Sequence, residues 1–306
     1  MPSEQGAIPR WPVIDGDFWR IGTYPDLGDL AYEAEHEVVD HAIFRSDDGK
    51  WHLWACIRGL KVGRVFYGWE GDALEEGPWR PVGVVMRADH AYGESINDWN
   101  GEEWIQAPHV VIRDGIHYMF YGGHNTELGE CQINLATSKD GRDWQRYKNS
   151  QGYSRLFTGP GEARDPMVIQ IGDRYHCYYT GHDTGLRRPC KIYCRTSKDL
   201  YHWSDYCEVS WGGHASGTGP WSAECPFVVH LDGYYYLFRT SEYRSPARTH
   251  VYRSQDPFDF GLGHDGKWIA TLRVAAPEVV QDGDRYYIST VEDLRGGVKL
   301  ARLRWV

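Results

Sequence analysis

Apolar and polar positions along the chain form a repeated pattern in which an apolar run, a turn and a second, aromatic-rich run follow one another. Four copies read QAPHVVIRDGIHYMFYGG, ARDPMVIQIGDRYHCYYTG, AECPFVVHLDGYYYLFRT and AAPEVVQDGDRYYIST, and a looser copy, VVDHAIFRSDDGKWHLWACIRG, precedes them. The two runs of a copy meet at Gly or Asp, residues that tolerate positive φ in tight turns. The pattern therefore predicts a series of antiparallel β-hairpins.

A second signal follows three of these hairpins. The segments LATSKDGRDWQRY, CRTSKDLYHWSDY and VYRSQDPFDFG each place Ser and Asp at a further turn, which predicts about four strands per unit. Pro108, Pro166, Pro226 and Pro277 mark the repeat at intervals of 58, 60 and 51 residues. Repeats of this length with four strands are typical of propeller blades around a central channel.

The predicted fold is therefore all-β, with no long helix. We expect residues 1–306 to form a single five-bladed β-propeller with four-stranded antiparallel blades around a central channel. The blades should start near residues 38, 105, 163, 223 and 274. The terminal segment VKLARLRWV is expected to be a late strand of the last blade or to close the ring with N-terminal residues.

Composition agrees with this architecture and limits the partners. The 306 residues include 35 Gly, 15 Pro, 21 Tyr and 14 Trp, a mixture that favours turns and β-structure. The formal net charge of −10, without a Lys/Arg block, argues against nucleic acid. No apolar run has the length of a membrane span, and the start MPSEQGAIPRW lacks a signal-peptide pattern. The sequence thus predicts a cytoplasmic protein without nucleic-acid or membrane contacts, and leaves its oligomeric state open.

The cysteines do not indicate a metal site or a disulfide framework. There are seven, an odd number, scattered along the chain. Cys56, Cys177 and Cys225 lie in apolar strand-like segments, where a thiol behaves as a small hydrophobe. Cys190 and Cys194 lack the second ligand pair that a zinc site needs. We predict no metal and no other cofactor.

Propeller geometry predicts where polar side chains meet. The first strand of each blade lines the channel, so the residues that begin these strands converge at one mouth. The second strand is antiparallel, so its far end returns to that mouth. Asp165 and Glu224 are expected at equivalent positions of their blades. The residues predicted at the mouth are Asp40, His109, Asp165, Glu224 and Glu278 from first strands, and Arg58, His124, His182 and Arg244 from second strands.

Two short signatures resemble known families. ARDP followed by AECP resembles the paired signatures of glycoside hydrolase family 32, the fructosidases. The blades APHVVIRDGIHYMFYGG and AECPFVVHLDGYYYLF are similar to those of family 43, the arabinanases and xylosidases. The resemblance extends from Asp40 to the C-terminus. It implies a five-bladed propeller with three acidic residues at its mouth and hydrolysis of furanose or pentose glycosides, of the arabinosidase, xylosidase or fructosidase type.

The resemblance also implies roles for the three carboxylates. Glu224 becomes the general acid, and Asp165 stabilises the transition state or tunes the pKa of the acid. Asp40 acts as nucleophile in a family 32 mechanism or as base in a family 43 mechanism; the Asn-Asp-Pro-Asn-Gly signature of family 32 is absent around it. Such a set suits an oxocarbenium-like transition state, and a neighbouring negative charge raises the pKa of an acid.

The remaining mouth residues are expected to bind substrate. Arg164 should bind a sugar hydroxyl or orient a carboxylate, since its guanidinium donates in a planar fork. Some relatives in family 43 hold calcium in the central channel, but no loop of oxygen ligands with recognisable spacing supports such a site here. The predicted substrate-binding residues are Arg58, Trp104, His109, His124, Arg164, His182, Trp221, Arg244 and Glu278.

Two other functions stay open from the sequence. A phosphorolytic propeller resembling glycoside hydrolase family 130 would need basic residues that hold phosphate, and the candidates are Arg58, Arg164, Arg187, Arg188 and Arg244. A catalytically inactive carbohydrate-binding propeller would keep the pocket and lack the chemistry. In each case the expected partner is a carbohydrate.

Overall fold

The structure is a computed structural model that describes residues 8–32, 35–94, 96–97, 102–125, 130–182, 190–216, 222–291 and 293–306. Regular structure in these ranges is almost entirely β. The helical segments there are three short 3₁₀ turns, Gly28–Leu30, His90–Tyr92 and His214–Ser216. In this part of the chain no helix has the length and apolar character needed to cross a bilayer.

The strands are numbered in chain order. They are β1 (Pro12–Gly22), β2 (Glu37–Arg45), β3 (Trp51–Leu60), β4 (Gly63–Gly71), β5 (Arg80–Met86), β6 (Ile96–Asn97), β7 (Glu102–Glu103), β8 (Ile105–Arg113), β9 (Ile116–Asn125), β10 (Glu130–Ser138), β11 (Trp144–Arg146), β12 (Arg155–Thr158), β13 (Arg164–Ile171), β14 (Arg174–Gly181), β15 (Lys191–Ser197), β16 (Cys207–Ser210), β17 (Glu224–Leu231), β18 (Tyr234–Glu242), β19 (Arg248–Ser254), β20 (Trp268–Leu272), β21 (Val279–Asp282), β22 (Arg285–Val291) and β23 (Val298–Trp305).

These strands form five sheets, each a blade of a β-propeller, which confirms the predicted fold. Blade I contains β2, β3, β4 and β5, with the short β6 and β7 beside β4. Blade II contains β8 to β11, and β12 pairs with β10. Blade III is β13 to β16, and blade IV is β17 to β20. Blade V has the order β21, β22, β23, β1, so it combines both ends of the described chain.

Ring closure therefore depends on β1. This strand pairs antiparallel with β23 over Pro12 to Gly22, and the backbone amides of Trp11 and Val306 donate to each other's carbonyls at 2.8 and 3.0 Å. The two closure routes predicted for the last segment occur together, because β23 is both a late strand of the last blade and the partner of the N-terminal strand.

The predicted turn chemistry is present in the hairpins. Asp114 and Gly115 join β8 to β9 with φ of 51° and 74°, and Asp232 and Gly233 join β17 to β18 with φ of 50° and 77°. Positive φ at both central residues matches the twist of a tight hairpin. The aromatic residues of the returning strands pack between blades; the ring of Tyr178 meets that of Phe260 edge-on at 6.1 Å.

A β-bulge interrupts the innermost strand at the channel mouth. The register shifts between Gln106 and His109, between Arg164 and Met167, and between Glu224 and Phe227, and a similar shift in β2 spans Val38 to His41. The residue that directly precedes each repeat proline is not glycine but has a positive φ. This backbone conformation is strained, and in a β-bulge it changes the direction of the side chain. These residues are Ala107, Asp165, Cys225 and Ala276, with φ of 49°, 56°, 50° and 45°.

Candidate active site

The bulges correct one expectation about equivalent positions. Asp165 precedes Pro166 directly, and the residue that precedes Pro226 is Cys225, so Asp165 corresponds to Cys225 rather than to Glu224. Glu224 corresponds to Arg164, because each lies opposite a threonine of the second strand at the start of the bulge. The predicted equivalence of Asp165 and Glu224 is therefore wrong by one residue, and one residue inside a bulge changes the direction of a side chain.

The mouth of the channel nevertheless brings the three predicted carboxylates close together. Asp40 and Asp165 line one pocket with Cys225, and single ligand-type atoms of these three side chains all lie within 4.8 Å of one another. Glu224 joins this group through Arg164, whose Nε lies 3.0 Å from Glu224 Oε1 and 3.8 Å from Asp165 Oδ2. Blades I, III and IV thus each supply one carboxylate.

Arg164 is buried and fixes the position of Glu224. Its Nε and Nη2 both donate to Glu224 Oε1. The same guanidinium donates to the carbonyl of Glu162 at 2.9 Å and to Cys190 Sγ at 3.0 Å, and Nη1 lies 3.4 Å from His182 Nδ1. Of the two roles predicted for Arg164, the contacts correspond to the orientation of a carboxylate.

Burial and neighbouring negative charge raise the pKa values of Asp165 and Glu224. Burial, followed by the negative charge of Asp40, raises the pKa of Asp165 to about 7, and Arg164 opposes the rise. Burial also raises the pKa of Glu224; Arg164 opposes it and Asp40 adds to it. A carboxyl group that keeps its proton near neutral pH is what general acid catalysis needs.

Cys225 is a functional candidate that sequence reasoning missed. Its thiol lies 3.1 Å from Asp40 Oδ1 and 2.9 Å from the hydroxyl of Tyr243, and its backbone amide donates to Asp165 Oδ2 at 3.3 Å. Cys225 is buried in the apolar core with its thiol reduced, as predicted, and the thiol is in addition hydrogen-bonded to an acid. The signal was its place in AECP, directly after Glu224 and before Pro226.

Two predicted arginines lie at the rim on a shared carboxylate. Arg58 Nε donates to Glu37 Oε2 at 2.7 Å, and Arg244 Nη2 lies 3.4 Å from Glu37 Oε1. Both side chains keep substantial exposure, 40% and 70%, so each can still reach a ligand. Their substrate-binding roles remain predictions.

His109 and Glu278 form a buried pair across the channel. His109 Nδ1 lies 3.2 Å from Glu278 Oε1, and Glu278 Oε2 accepts from the backbone amide of Ile43 at 2.7 Å. His109 Nε2 is 3.1 Å from the carbonyl of Val168. The pair connects blades I, II, III and V, and its contacts are with the protein; the substrate-binding role predicted for both residues stays a prediction.

An aromatic and basic group lies between blades I and II. The Arg64 guanidinium stacks 4.2 Å from the ring centroid of Trp104, and the Trp104 ring lies 5.9 Å from that of His124. Among the described residues, Trp104 Nε1 and His124 Nδ1 are buried without a hydrogen-bond partner. Arg64, which donates to Gln106, was not identified from the sequence.

The backbone allows a close approach at this border. A Cβ on Gly122 would lie 3.0 Å from Gln106 Cγ and 3.5 Å from Arg164 Cα, so a side chain there would press on the strand that carries Arg164. Three further predicted residues, Trp221, Arg187 and Arg188, lie outside the described residues.

Within the described ranges, one group of three potential metal ligands occurs, Asp40, Asp165 and Cys225. These are the acids of the candidate active site and the thiol bonded to one of them. We assign no metal to them, and the prediction that the protein uses no cofactor stays a prediction.

A family model agrees with this geometry. The model for the glycosyl hydrolases family 32 N-terminal domain matches residues 78–275. The chain belongs to this family. The matched segment contains Asp165 and Glu224, whereas Asp40 precedes it.

The family 32 match, an arabinanase relative and the structures of family 43 and family 32 enzymes together confirm the resemblance to the propeller superfamily of families 32 and 43. A probable arabinan endo-1,5-alpha-L-arabinosidase C of Aspergillus flavus is 24% identical over 215 residues, which are 66% of this chain and 58% of the relative. The match thus spans less than two thirds of that protein.

Solved structures share the fold. A thermostable family 43 glycoside hydrolase superposes with a TM-score of 0.63 at 21% identity, covering 93% of this chain and 92% of the other. A family 32 beta-fructofuranosidase of Bombyx mori gives a TM-score of 0.62 at 15% identity, covering 92% of this chain and 61% of the other.

Proposed function

We propose that the protein is a glycoside hydrolase that cleaves furanose or pentose glycosides. The observation that carries the proposal is the convergence of Asp40, Asp165 and Glu224, from three different blades, at one channel mouth. Membership of the family 32 propeller and the arabinan-cleaving name of the Aspergillus relative support this substrate class.

In the proposed mechanism Glu224 protonates the leaving oxygen. Burial raises the pKa of Glu224, which favours its protonated form, and Arg164 holds the carboxyl in one orientation. Asp40, which lines the pocket with Asp165, acts as the nucleophile or as the base that directs water to the anomeric carbon as the glycosidic bond breaks. Ionised Asp40 adds to the rise in the pKa of Glu224, and Asp165, whose Oδ2 lies 3.8 Å from Arg164 Nε, stabilises the transition state.

The two alternative functions receive less support from the contacts. Phosphorolysis needs a cluster of cationic groups for phosphate, yet Arg164, the buried candidate beside the acids, is bound to Glu224. A binding protein without activity has no need for the buried, strained Asp165, whose ionisation costs folding free energy. Addition of inorganic phosphate to the assays below tests phosphorolysis directly.

The test compares Glu224→Gln with the wild type on substrates whose leaving groups differ in acidity. The panel contains nitrophenyl and dinitrophenyl α-L-arabinofuranosides and β-xylosides, together with arabinan, sucrose and fructans. We expect the wild type to hydrolyse a furanoside or pentoside. Glu224→Gln should lose about 10²- to 10⁴-fold on unactivated glycosides and much less on dinitrophenyl glycosides, which leave without protonation.

Glu208→Gln is the matched control, because Glu208 lies in β16, where its carboxylate pairs with Lys191. It should keep wild-type rates on every substrate. Wild-type rates for Glu224→Gln, or an equal loss on all leaving groups, would reject the role of Glu224 as acid. Absence of hydrolysis by the wild type over the whole panel would reject the proposed function.

A further inference from the structure

Arg58 and Arg64 lie side by side on blade I at the channel mouth. Arg58 is near the end of β3 and Arg64 near the start of β4, and the two are direct partners in the antiparallel register of these strands. Residues directly opposite each other have Cβ atoms about 5 Å apart on one face of the sheet, and like charges in such a pair are destabilising. This arrangement favours a bound negative charge.

The carboxylates nearby do not balance the arginines of this part of the rim. Glu37 accepts from Arg58 Nε at 2.7 Å and lies 3.4 Å from Arg244 Nη2, so two guanidiniums share one negative charge. Among the described residues, Arg64 forms no ion pair within 4.0 Å. Asp40 acts on Arg58 and Arg64 from beyond this distance. Even with Asp40 included, positive charge is in excess.

Gln106 connects Arg64 with the ring of side chains at the mouth. It lies at the start of the bulge in β8, the position that Arg164 has in β13 and Glu224 has in β17. Equivalent positions of propeller blades meet at the same mouth. Gln106 Oε1 accepts from Arg64, and its Nε2 has no hydrogen-bond partner among the described residues. Its amide therefore offers a second donor beside the guanidinium.

The border between blades I and II offers donors rather than acceptors. The Arg64 guanidinium stacks on the ring of Trp104, and this contact holds its planar fork of N–H groups in one orientation. Such a fork matches the two oxygens of a carboxylate. A ligand group that completes these contacts has to accept hydrogen bonds and carry negative charge.

We propose that Arg58, Arg64 and Gln106 form a subsite for a carboxylate of the substrate, so that the enzyme prefers furanose or pentose glycosides that carry a uronic acid unit. The inference rests on the proposed hydrolase function and adds the charge of the substrate to it. In a protein with a net charge of −10, this local excess of positive charge also lets an acidic chain approach the mouth.

The experiment measures ligand binding to Glu224→Gln by titration calorimetry, because this variant should hold a substrate without cleaving it. The ligands are a xylo-oligosaccharide and an arabino-oligosaccharide, each carrying one uronate, and the methyl esters of both, which have no charge. We expect one acid to bind about tenfold or more tightly than its ester. This preference should shrink as salt rises, since salt screens charges near the surface. Equal binding of acid and ester, or no binding of either pair, would overturn the subsite.

Substitutions added to Glu224→Gln test the two arginines. Arg64→Met and Arg58→Met keep an apolar stem and remove the charge, so each should weaken binding of the acid about tenfold and of the ester much less. Arg80→Met is the matched control, because Arg80 lies on the outer strand β5 of the same blade, 2.9 Å from Glu70 Oε1. It should keep the preference. An unchanged preference in Arg64→Met and Arg58→Met would overturn the proposal, and Arg58→Met decides if Arg64→Met does not fold.

Hydrolysis assays distinguish this inference from the proposed function. Hydrolysis of the neutral substrates of the panel, together with equal binding of acid and ester, would overturn the subsite and leave the hydrolase function intact. A preference for the acid without hydrolysis of any substrate would overturn the function and leave the subsite. Inorganic phosphate is the competing source of negative charge: release of the sugar as its phosphate ester would assign the arginines to phosphate and overturn both.

Discussion

Replacement of Asp165 by Asn should stabilise the protein at alkaline pH while it damages catalysis. The carboxyl is buried beside Asp40 and Glu224, and its pKa rises from an ordinary 3.8 to about 7. Each pKa unit corresponds to about 1.4 kcal/mol, so ionised Asp165 costs the folded state up to about 4 kcal/mol. Asn removes this charge, tolerates the positive φ of 56°, and can still accept from the amide of Cys225.

The sign of the pH dependence follows from the raised pKa. The folded protein binds more protons than the unfolded chain between about pH 4 and pH 7, so wild-type stability falls as pH rises through this window. Above pH 8 the loss is complete and constant. The advantage of Asp165→Asn should therefore be larger at pH 8 than at pH 4 by up to about 4 kcal/mol, or about 6 °C in Tm for a chain of this size.

The assay is thermal or urea unfolding of the wild type and of Asp165→Asn at pH 4 and pH 8. The result is how much the stability difference between the two proteins changes between the two pH values. Packing effects of the substitution cancel in this difference. Asp140→Asn is the control: backbone amides of Asp143 and Arg142 lower the pKa of Asp140 to about 2, below both test pH values, so its loss should destabilise the protein nearly equally at pH 4 and pH 8. An equal Tm difference for Asp165→Asn at both pH values would refute the reasoning.

Two further predictions concern the scaffold. Deletion of residues 1–22 removes β1 and exposes the backbone of β23, so it should lower the free energy of unfolding by several kcal/mol; an unchanged free energy of unfolding would contradict the role of β1 in closing the ring. Glu278→Ala leaves the amide of Ile43 and the ring of His109 without their acceptor, so urea unfolding should show a loss of about 3 kcal/mol in the free energy of unfolding. Glu208→Ala, which removes the partner of Lys191, should change this free energy little. Similar losses for the two variants would reject a stabilising role for the pair of His109 and Glu278.

The repeated hairpins could be predicted from the sequence because their determinants are local. Alternation of apolar and polar positions, a turn such as Asp114–Gly115, and the proline of each repeat act within a few residues. A chain that repeats such a unit must stack the copies to bury their apolar faces, which leads to a propeller. Asp40, Asp165 and Glu224 were found for the same reason: each stands beside the start of an inner strand, and inner strands meet at the channel.

The partners of these residues depended on the tertiary structure. Arg164 and Glu224 are 60 positions apart and meet because neighbouring bulges aim both side chains at one place. The prolines of ARDP and AECP already place Cys225 rather than Glu224 at the position equivalent to Asp165, whereas the bulges decide where these side chains point. The raised pKa of Asp165 likewise requires burial and neighbours from two other blades. The local sequence determines the strands and turns. The protonation and hydrogen bonding of the site residues depend on contacts between side chains of different blades, and the distances between those side chains are fixed only when the ring of blades closes.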